Sequence, residues 1–148
     1  MKRIAEYRKL FNITKETELA ELKLIYRGLV KEFHPDKFTD EELKAQAELK
    51  SKTIIEAYHF LVSIAHETIE STLEEYTKTT TTSNIADINY KGKRLRIDFT
   101  DGSGYEYYGV PENTFSKLIN ADSQGRFARR HIYTSFLYRN VSKLGVTV

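Results

Sequence analysis

The stretch Leu19–Lys37 has the sequence LAELKLIYRGLVKEFHPDK. It contains one predicted helix and the start of the connection to a second. Apolar residues recur at steps of three and one through its first fifteen positions, which is the spacing of one buried helix face. Pro35 ends this helix, because the residue before a proline is pushed out of the helical backbone conformation. A second helix is predicted from Thr39. The stretch therefore predicts a helical hairpin that exposes His34 and Asp36 on a tight connection.

Composition and charge change along the chain of 148 residues, which is long enough for one ordinary domain or two small ones. Residues 1–78 carry 13 Lys/Arg and 15 Asp/Glu, whereas residues 79–148 carry 10 and 6. A polar, Thr-rich tract lies at this change. We therefore predict two modules, residues 1–76 and 85–148, joined by a linker over residues 77–84.

The composition also argues against several classes of protein. There is no cysteine, and no run approaches the roughly 20 apolar residues of a membrane span. The sequence has no glycine-rich phosphate loop and no catalytic arrangement of its four histidines, so we predict no enzyme and no cofactor. His59, His66 and Glu70 have a spacing that allows a metal site on a helix, but solvated helices produce such sets by chance. We expect a cytoplasmic protein without membrane contact.

Periodicity predicts an α+β fold. Helical spacing covers residues 4–11, residues 17–33, and residues 39 to about 76 with a bend or restart. From Ile85 the apolar period changes to two, which predicts an antiparallel three-stranded meander, and the stretch from Tyr133 onward could add a strand. Turns are predicted at Lys91-Gly92 and Asp101–Gly104, and short helices at Pro111 and Ser123.

The N-terminal segment, about residues 4–63, resembles a J-domain, the co-chaperone module that activates DnaK-type heat-shock chaperones. The matching positions are Tyr7, Phe11-Asn12-Ile13, Leu22, Tyr26-Arg27, Leu29, Phe33–Lys37, Ile54, Glu56-Ala57-Tyr58 and Leu61. The resemblance has exceptions, because Gly28 and Glu32 stand where the family usually has basic residues, and Ile55 replaces the usual Asn. The family's short fourth helix with its Lys-Arg is not visible either. The predicted recognition helix is therefore less basic than is typical.

This resemblance implies binding rather than catalysis. The cations of the first hairpin helix would meet an acidic surface of the chaperone, while His34 and Asp36 would engage the junction that triggers ATP hydrolysis by the partner. The alternative is an ordinary solvated helix face and a simple turn. The implied chaperone-binding residues are Lys23, Tyr26, Arg27, Lys31, His34, Pro35, Asp36 and Lys37.

The C-terminal segment, about residues 82–140, resembles a KTSC domain, a small module found at the C-terminus of some lysyl-tRNA synthetases and alone in bacterial proteins. The matching motifs are Ser83-Asn84-Ile85, Tyr90, Leu95–Phe99, Tyr105-Glu106-Tyr107, Val110-Pro111 and Ala121–Gly125. The function of that family is not established, and RNA binding is the suggestion attached to it. Peptide binding and a purely structural role are the alternatives.

For an RNA ligand, arginines would contact phosphates and tyrosines would stack on unpaired bases. Strand alternation places Tyr105 and Tyr107 on one face and Tyr108 on the other, so at most one set is free to bind. The candidate arginines are Arg94, Arg96, Arg126, Arg129, Arg130 and Arg139. We predict a co-chaperone that stimulates a DnaK-type ATPase, with the second module recruiting a client or setting location. The alternative is an RNA-binding or translation-associated adaptor.

Overall fold

The computed structural model describes residues 2–142, except for the side chain of Lys2, and the chain forms two compact units. The helical unit covers Lys2–Glu70, and the sheet unit begins at Ser71. The helices up to the start of the sheet unit are α1 (Lys2–Phe11), α2 (Leu19–Glu32), α3 (Glu41–Ile64) and α4 (His66–Ser71), with a 3₁₀ turn at Pro35–Lys37. Within the described residues, no helix is both long and apolar enough to cross a membrane.

The predicted hairpin is formed by α2 and α3. Leu22 of α2 is buried, and Tyr26 stacks on Tyr58 of α3 with ring centroids 3.9 Å apart. The other buried hydrophobic residues of the helical unit are Ile4, Phe11, Ala47, Ile54, Ala57, Phe60, Leu61 and Ile64. Leu29, which the sequence places in the same stripe, is half-buried. The core therefore lies mainly along α3.

Asn12 ends α1 in a left-handed conformation, with φ at 54°. The Asn12 N–H donates to the Lys9 carbonyl and the Ile13 N–H donates to the Arg8 carbonyl, which together form a Schellman motif. Glycine is the usual residue at this position because it has no Cβ, and asparagine is the next choice. The Phe11-Asn12-Ile13 motif thus closes the first helix of the unit.

The Thr-rich stretch predicted as a linker is instead helical, and this prediction is wrong. Helix α5 runs from Leu73 to Thr82 as the first complete helix of the sheet unit, with Tyr76, Thr79 and Thr80 buried. The hydroxyls of Thr80, Thr81 and Thr82 donate to carbonyls four residues earlier, so the side chains add to the helix's own bonds. Burial of one helix face overrides the weak helix propensity of threonine.

Within residues 2–142 the sheet has four antiparallel strands in the order β1-β2-β3-β4, one more than the predicted meander. The strands are β1 (Ile85–Lys91), β2 (Arg94–Phe99), β3 (Gly104–Tyr108) and β4 (Leu137–Asn140), and helices α6 (Glu112–Ile119) and α7 (Gln124–His131) precede β4. Leu95 is opposite Tyr107, which is opposite Tyr138, so these residues share the inner face. The fourth strand comes from the stretch predicted to be β-prone.

Candidate functional site

His34 begins the 3₁₀ turn that separates α2 from α3. Its backbone is extended (φ −65°, ψ 129°), and its Nδ1 accepts a hydrogen bond of 3.2 Å from the Asp36 backbone N–H. Pro35 occupies the first position of the turn, where its fixed φ is already suitable and its missing N–H costs nothing. His34 therefore acts as the cap of the turn, which fixes the direction in which its imidazole points.

Phe33 and Phe38 anchor this turn from both sides. Both rings are half-buried and, with Leu43 and Ala47, line a cavity of about 390 Å³ against α3. The Ser51 hydroxyl donates to the Phe33 carbonyl at 3.0 Å, which satisfies a carbonyl at the end of α2. The turn is therefore held by packing and by a side chain of α3.

His34 and Asp36 point to solvent between these anchors. Their side chains are 51% and 84% exposed, and Nδ1 of His34 lies 3.6 Å from Oδ2 of Asp36. Nδ1 accepts the backbone bond, so the neutral imidazole carries its proton on Nε2, which is left for a partner. The turn thus presents a donor and an anion a few ångströms apart.

The cations predicted for chaperone binding form one exposed row on α2. Lys23, Arg27 and Lys31 are spaced four residues apart, so they follow each other along one side of the helix, and Lys37 is exposed in the turn. Tyr26 is different, because its stack on Tyr58 places much of the ring inside the hairpin. The cations therefore lie along the helix that ends at the His34–Asp36 turn, and Tyr26 contributes chiefly to packing.

Sequence reasoning missed a second row on the same face. Leu24, Gly28 and Glu32 are also four apart and are all exposed, with Leu24 68% exposed. Their spacing was visible in the sequence, but an exposed leucine has no periodic signal of its own. This row lies directly beside the cationic row.

The tyrosines predicted to stack on bases are all buried, so this prediction is wrong. Tyr105 and Tyr107 pack below α5 with Tyr76, whose hydroxyl lies 2.9 Å from the Tyr107 hydroxyl and donates to the Tyr133 carbonyl at 2.6 Å. Tyr108 is buried as well, and its hydroxyl donates to Glu106 at 2.6 Å. Burial raises the pKa of Tyr107 above its ordinary range. These side chains form the core and offer no open ring face to a ligand.

The candidate arginines fall into two groups. Arg94 Nε lies 3.8 Å from Glu106, and the Arg96 guanidinium lies 3.2 Å from Asp98, so both already face carboxylates on the sheet. Arg139 is half-buried opposite Glu106 in the β3–β4 register. Arg126, Arg129 and Arg130 are exposed on α7. An anionic ligand would therefore meet α7 rather than the sheet.

A polar cleft of about 500 Å³ lies between α5, the β2–β3 turn and the end of β4 in the sheet unit. Asp101 stands in it and accepts hydrogen bonds from the Thr79 hydroxyl and the Ser103 backbone, both at 2.8 Å. Burial alone would raise the pKa of Asp101, but these bonds hold the pKa below its ordinary value. The remaining lining is rich in hydroxyl groups and comprises Glu75, Lys78, Thr82, Ser83, Gly102, Asn140 and Ser142.

No group of three or more His, Cys, Asp or Glu side chains is placed to hold a metal ion among the described residues. His59, His66 and Glu70, which have the spacing of a helical metal site, are therefore not brought together.

Comparisons with known proteins match the two ends of the chain separately. Residues 81–136 match the family model of the KTSC domain. The N-terminal region is 43% identical over 56 residues to "DnaJ homolog subfamily C member 11" of Bos taurus, which covers 38% of this chain and 10% of that protein. It is also 43% identical over 58 residues to "Chaperone protein DnaJ" of Mesomycoplasma hyopneumoniae (strain 232), covering 38% of this chain and 16% of that protein. "Chaperone protein DnaJ" of Hydrogenobacter thermophilus is 41% identical over 58 residues, which cover 39% of this chain and 15% of that protein.

Both resemblances drawn from the sequence are therefore confirmed. The N-terminal region matches the J-domains of DnaJ homologues, and the C-terminal region matches the KTSC domain. The chain combines a J-domain-type segment with a KTSC-type segment in an α+β protein. It spans only 10–16% of the length of the curated relatives named above, so the match concerns this segment and not those whole proteins.

Proposed function

We propose that this protein is a co-chaperone that binds a DnaK-type chaperone through α2 and the His34–Asp36 turn and stimulates the chaperone's ATPase. The observation that carries the proposal is the anchored turn, which holds an exposed imidazole and carboxylate 3.6 Å apart at the end of a cationic helix face. Similarity to DnaJ homologues supports the same class of partner.

The two parts of this surface have different tasks in the proposal. Lys23, Arg27 and Lys31 steer an acidic surface onto α2 and set its orientation, since rim charges act mainly on encounter. His34 and Asp36 then contact the chaperone at the junction that triggers hydrolysis. The chain supplies no group to the reaction, because hydrolysis takes place in the partner's own ATPase site.

Single-turnover ATP hydrolysis by the DnaK-type chaperones of the source organism tests the proposal. Asp36→Asn should abolish stimulation and leave thermal unfolding nearly unchanged, because the carboxylate is 84% exposed and surface changes usually cost less than about 0.5 kcal/mol. Glu16→Gln removes another highly exposed carboxylate of the same unit and serves as the matched control. Stimulation that survives Asp36→Asn would contradict the assigned role of the turn.

In the same proposal the sheet unit recruits a client or sets the location of the complex, and the protein acts in the cytoplasm. Support for a recruiting role comes from the polar cleft around Asp101 and from the exposed arginines of α7. A cysteine-free composition suits a reducing compartment. Crosslinking from residues of the cleft and of α7 in cells would identify what is recruited.

RNA binding is the second candidate, and the exposed Arg126, Arg129 and Arg130 on α7 favour it. Affinity for single-stranded RNA should then fall steeply with salt, because neutralised phosphates release counterions. Replacing Arg129 and Arg130 with Ala should weaken binding and flatten the salt dependence, whereas Lys44→Ala on α3 should change little. Absence of binding at low salt would exclude this candidate.

A further inference from the structure

The exposed face of α2 consists of two parallel rows with different chemistry. The cationic row is Lys23, Arg27 and Lys31. In the second row beside it, Leu24 and Gly28 are neutral and Glu32, the last member, is acidic; the neutral row means Leu24 and Gly28 alone. Leu24 is the most exposed large hydrophobic residue of the described chain, at 68%. A Cβ added at Gly28 would meet no atom within 4 Å. In this row, the position of Leu24 is thus apolar and the position one turn later, Gly28, has no side chain.

The fold itself gives no reason for this neutral row. Glycine inside a helix costs about 1 kcal/mol relative to alanine, and no atom of the described residues occupies the space of the missing side chain of Gly28. Single exposed leucines are ordinary on protein surfaces, so Leu24 alone would need no explanation. Its position one turn before an open glycine, inside a charged face, is what calls for a partner.

The position of the neutral row relative to the cations identifies its occupant. Leu24 is three residues before Arg27, and Gly28 is three residues before Lys31, so each lies next to a cation on the helix surface. A protein whose acidic groups contact Arg27 and Lys31 therefore also covers Leu24 and Gly28. Charge complementarity brings to this face the acidic partner that the proposed function already requires.

We propose that Leu24 and Gly28 determine which DnaK-type chaperone this protein activates, an inference that rests on the proposed function. Leu24 packs against an apolar patch next to the acidic surface of the chaperone. The bare backbone at Gly28 admits a protruding side chain of the chaperone close to the helix axis. A chaperone whose surface has only the acidic groups binds more weakly than a chaperone that also has the apolar patch and the protruding side chain.

Substitutions at Gly28 separate folding from docking, because they act on the two in opposite directions. Gly28→Ala should raise the unfolding temperature of the helical unit, since alanine is the better helix former and has room. The same methyl group should weaken chaperone binding about threefold or more, because it fills the space of the protruding side chain. Gly28→Lys should weaken binding further, although it adds a cation to a cationic face.

Leu24 has a matched control in Leu49 of α3, which is 67% exposed. Leu24→Ala should weaken binding about 3- to 10-fold, the range of an apolar contact at an interface, and Leu24→Lys should weaken it more. Leu49→Ala and Leu49→Lys should leave binding unchanged. The measurements are calorimetric titration with the chaperone and single-turnover ATP hydrolysis.

The possible results distinguish this inference from the proposed function. If Gly28→Lys and Leu24→Lys bind more tightly than wild type, the docking surface is purely cationic and the inference is wrong. If they match wild type while the wild type stimulates hydrolysis, the neutral row is not contacted and only the inference fails. If wild type neither binds nor stimulates any such chaperone, both fail. If Leu24→Lys turns a dimer into a monomer in sedimentation, the row is a self-interface, which also overturns the inference.

Discussion

Tyr76 is the hydrogen-bonding centre of the core of the sheet unit, and Tyr76→Phe tests how α5 is held on the sheet. Its hydroxyl donates to the Tyr133 carbonyl, so its single proton is used there. The Tyr107 hydroxyl, 2.9 Å away, must therefore be the donor in the second bond. The Tyr107 hydroxyl thus donates to the Tyr76 hydroxyl, which in turn donates to the Tyr133 carbonyl.

This order sets the size of each effect. Tyr76→Phe takes the donor from the Tyr133 carbonyl and the acceptor from the Tyr107 hydroxyl, and a buried polar group left unsatisfied costs about 1–3 kcal/mol. Tyr107→Phe leaves the Tyr76 donor in place and removes one bond, which contributes about 0.5–1.5 kcal/mol. We therefore expect Tyr76→Phe to cost more free energy of unfolding than Tyr107→Phe, although both delete one hydroxyl.

Hydrogen exchange of the β2 and β3 amides in the full chain measures this cost, because it reports the opening of the sheet unit separately from that of the helical unit. Tyr58→Phe, at a half-buried tyrosine of the helical unit, is the control and should not change exchange in the sheet. A cost of Tyr76→Phe below about 0.5 kcal/mol, or a larger cost for Tyr107→Phe, would refute the assigned order of hydrogen bonds.

Three further predictions concern other parts of the structure. Glu67 Oε1 accepts the Leu19 N–H at 2.7 Å at the start of α2, so Glu67→Ala should cost about 1 kcal/mol in urea unfolding, and Glu67→Gln should cost less because it still accepts. Asn12→Val should cost about 1–3 kcal/mol at its positive φ, and Asn12→Gly should cost nothing or stabilise; equal unfolding of the two variants would contradict this. Burial raises the pKa of Tyr105 and Tyr133 from 10.0 to about 12, so the stability that their neutral hydroxyls contribute is complete below pH 10 and is lost as the pH rises towards 12. Circular dichroism of the sheet during an alkaline titration checks this, and loss of the sheet well below pH 10 would contradict it.

The elements predicted correctly from the sequence are those with a local signal. The α2 helix and its end depend on apolar spacing and on Pro35, which act within a few residues. The alternation of Leu95, Ile97 and Phe99 likewise placed β2 with its inner face in the core. The α+β class followed from these local patterns.

Helix α5 could not be predicted in the same way, because its stability comes from distant partners. Tyr76 forms hydrogen bonds with Tyr107 and Tyr133, which follow it in the chain by 31 and 57 residues. Thr79 forms a hydrogen bond with Asp101. A run of threonines has no apolar period, and its intrinsic preference is not helical. Only the assembled sheet makes the buried face of α5 favourable.

The candidate site shows the same division between local and non-local information. The sequence located the His34–Asp36 turn, but alternation in β3 could not say that both of its faces are covered, and so the tyrosines were misassigned. On α2 the apolar spacing leaves Gly28 outside the buried stripe, but only the structure shows the open space around it. A helix selected for stability alone would carry alanine at Gly28 and a charged side chain at Leu24. The chain breaks both local preferences on one face, beside its cationic row, and such breaks are expected where a surface serves binding rather than folding.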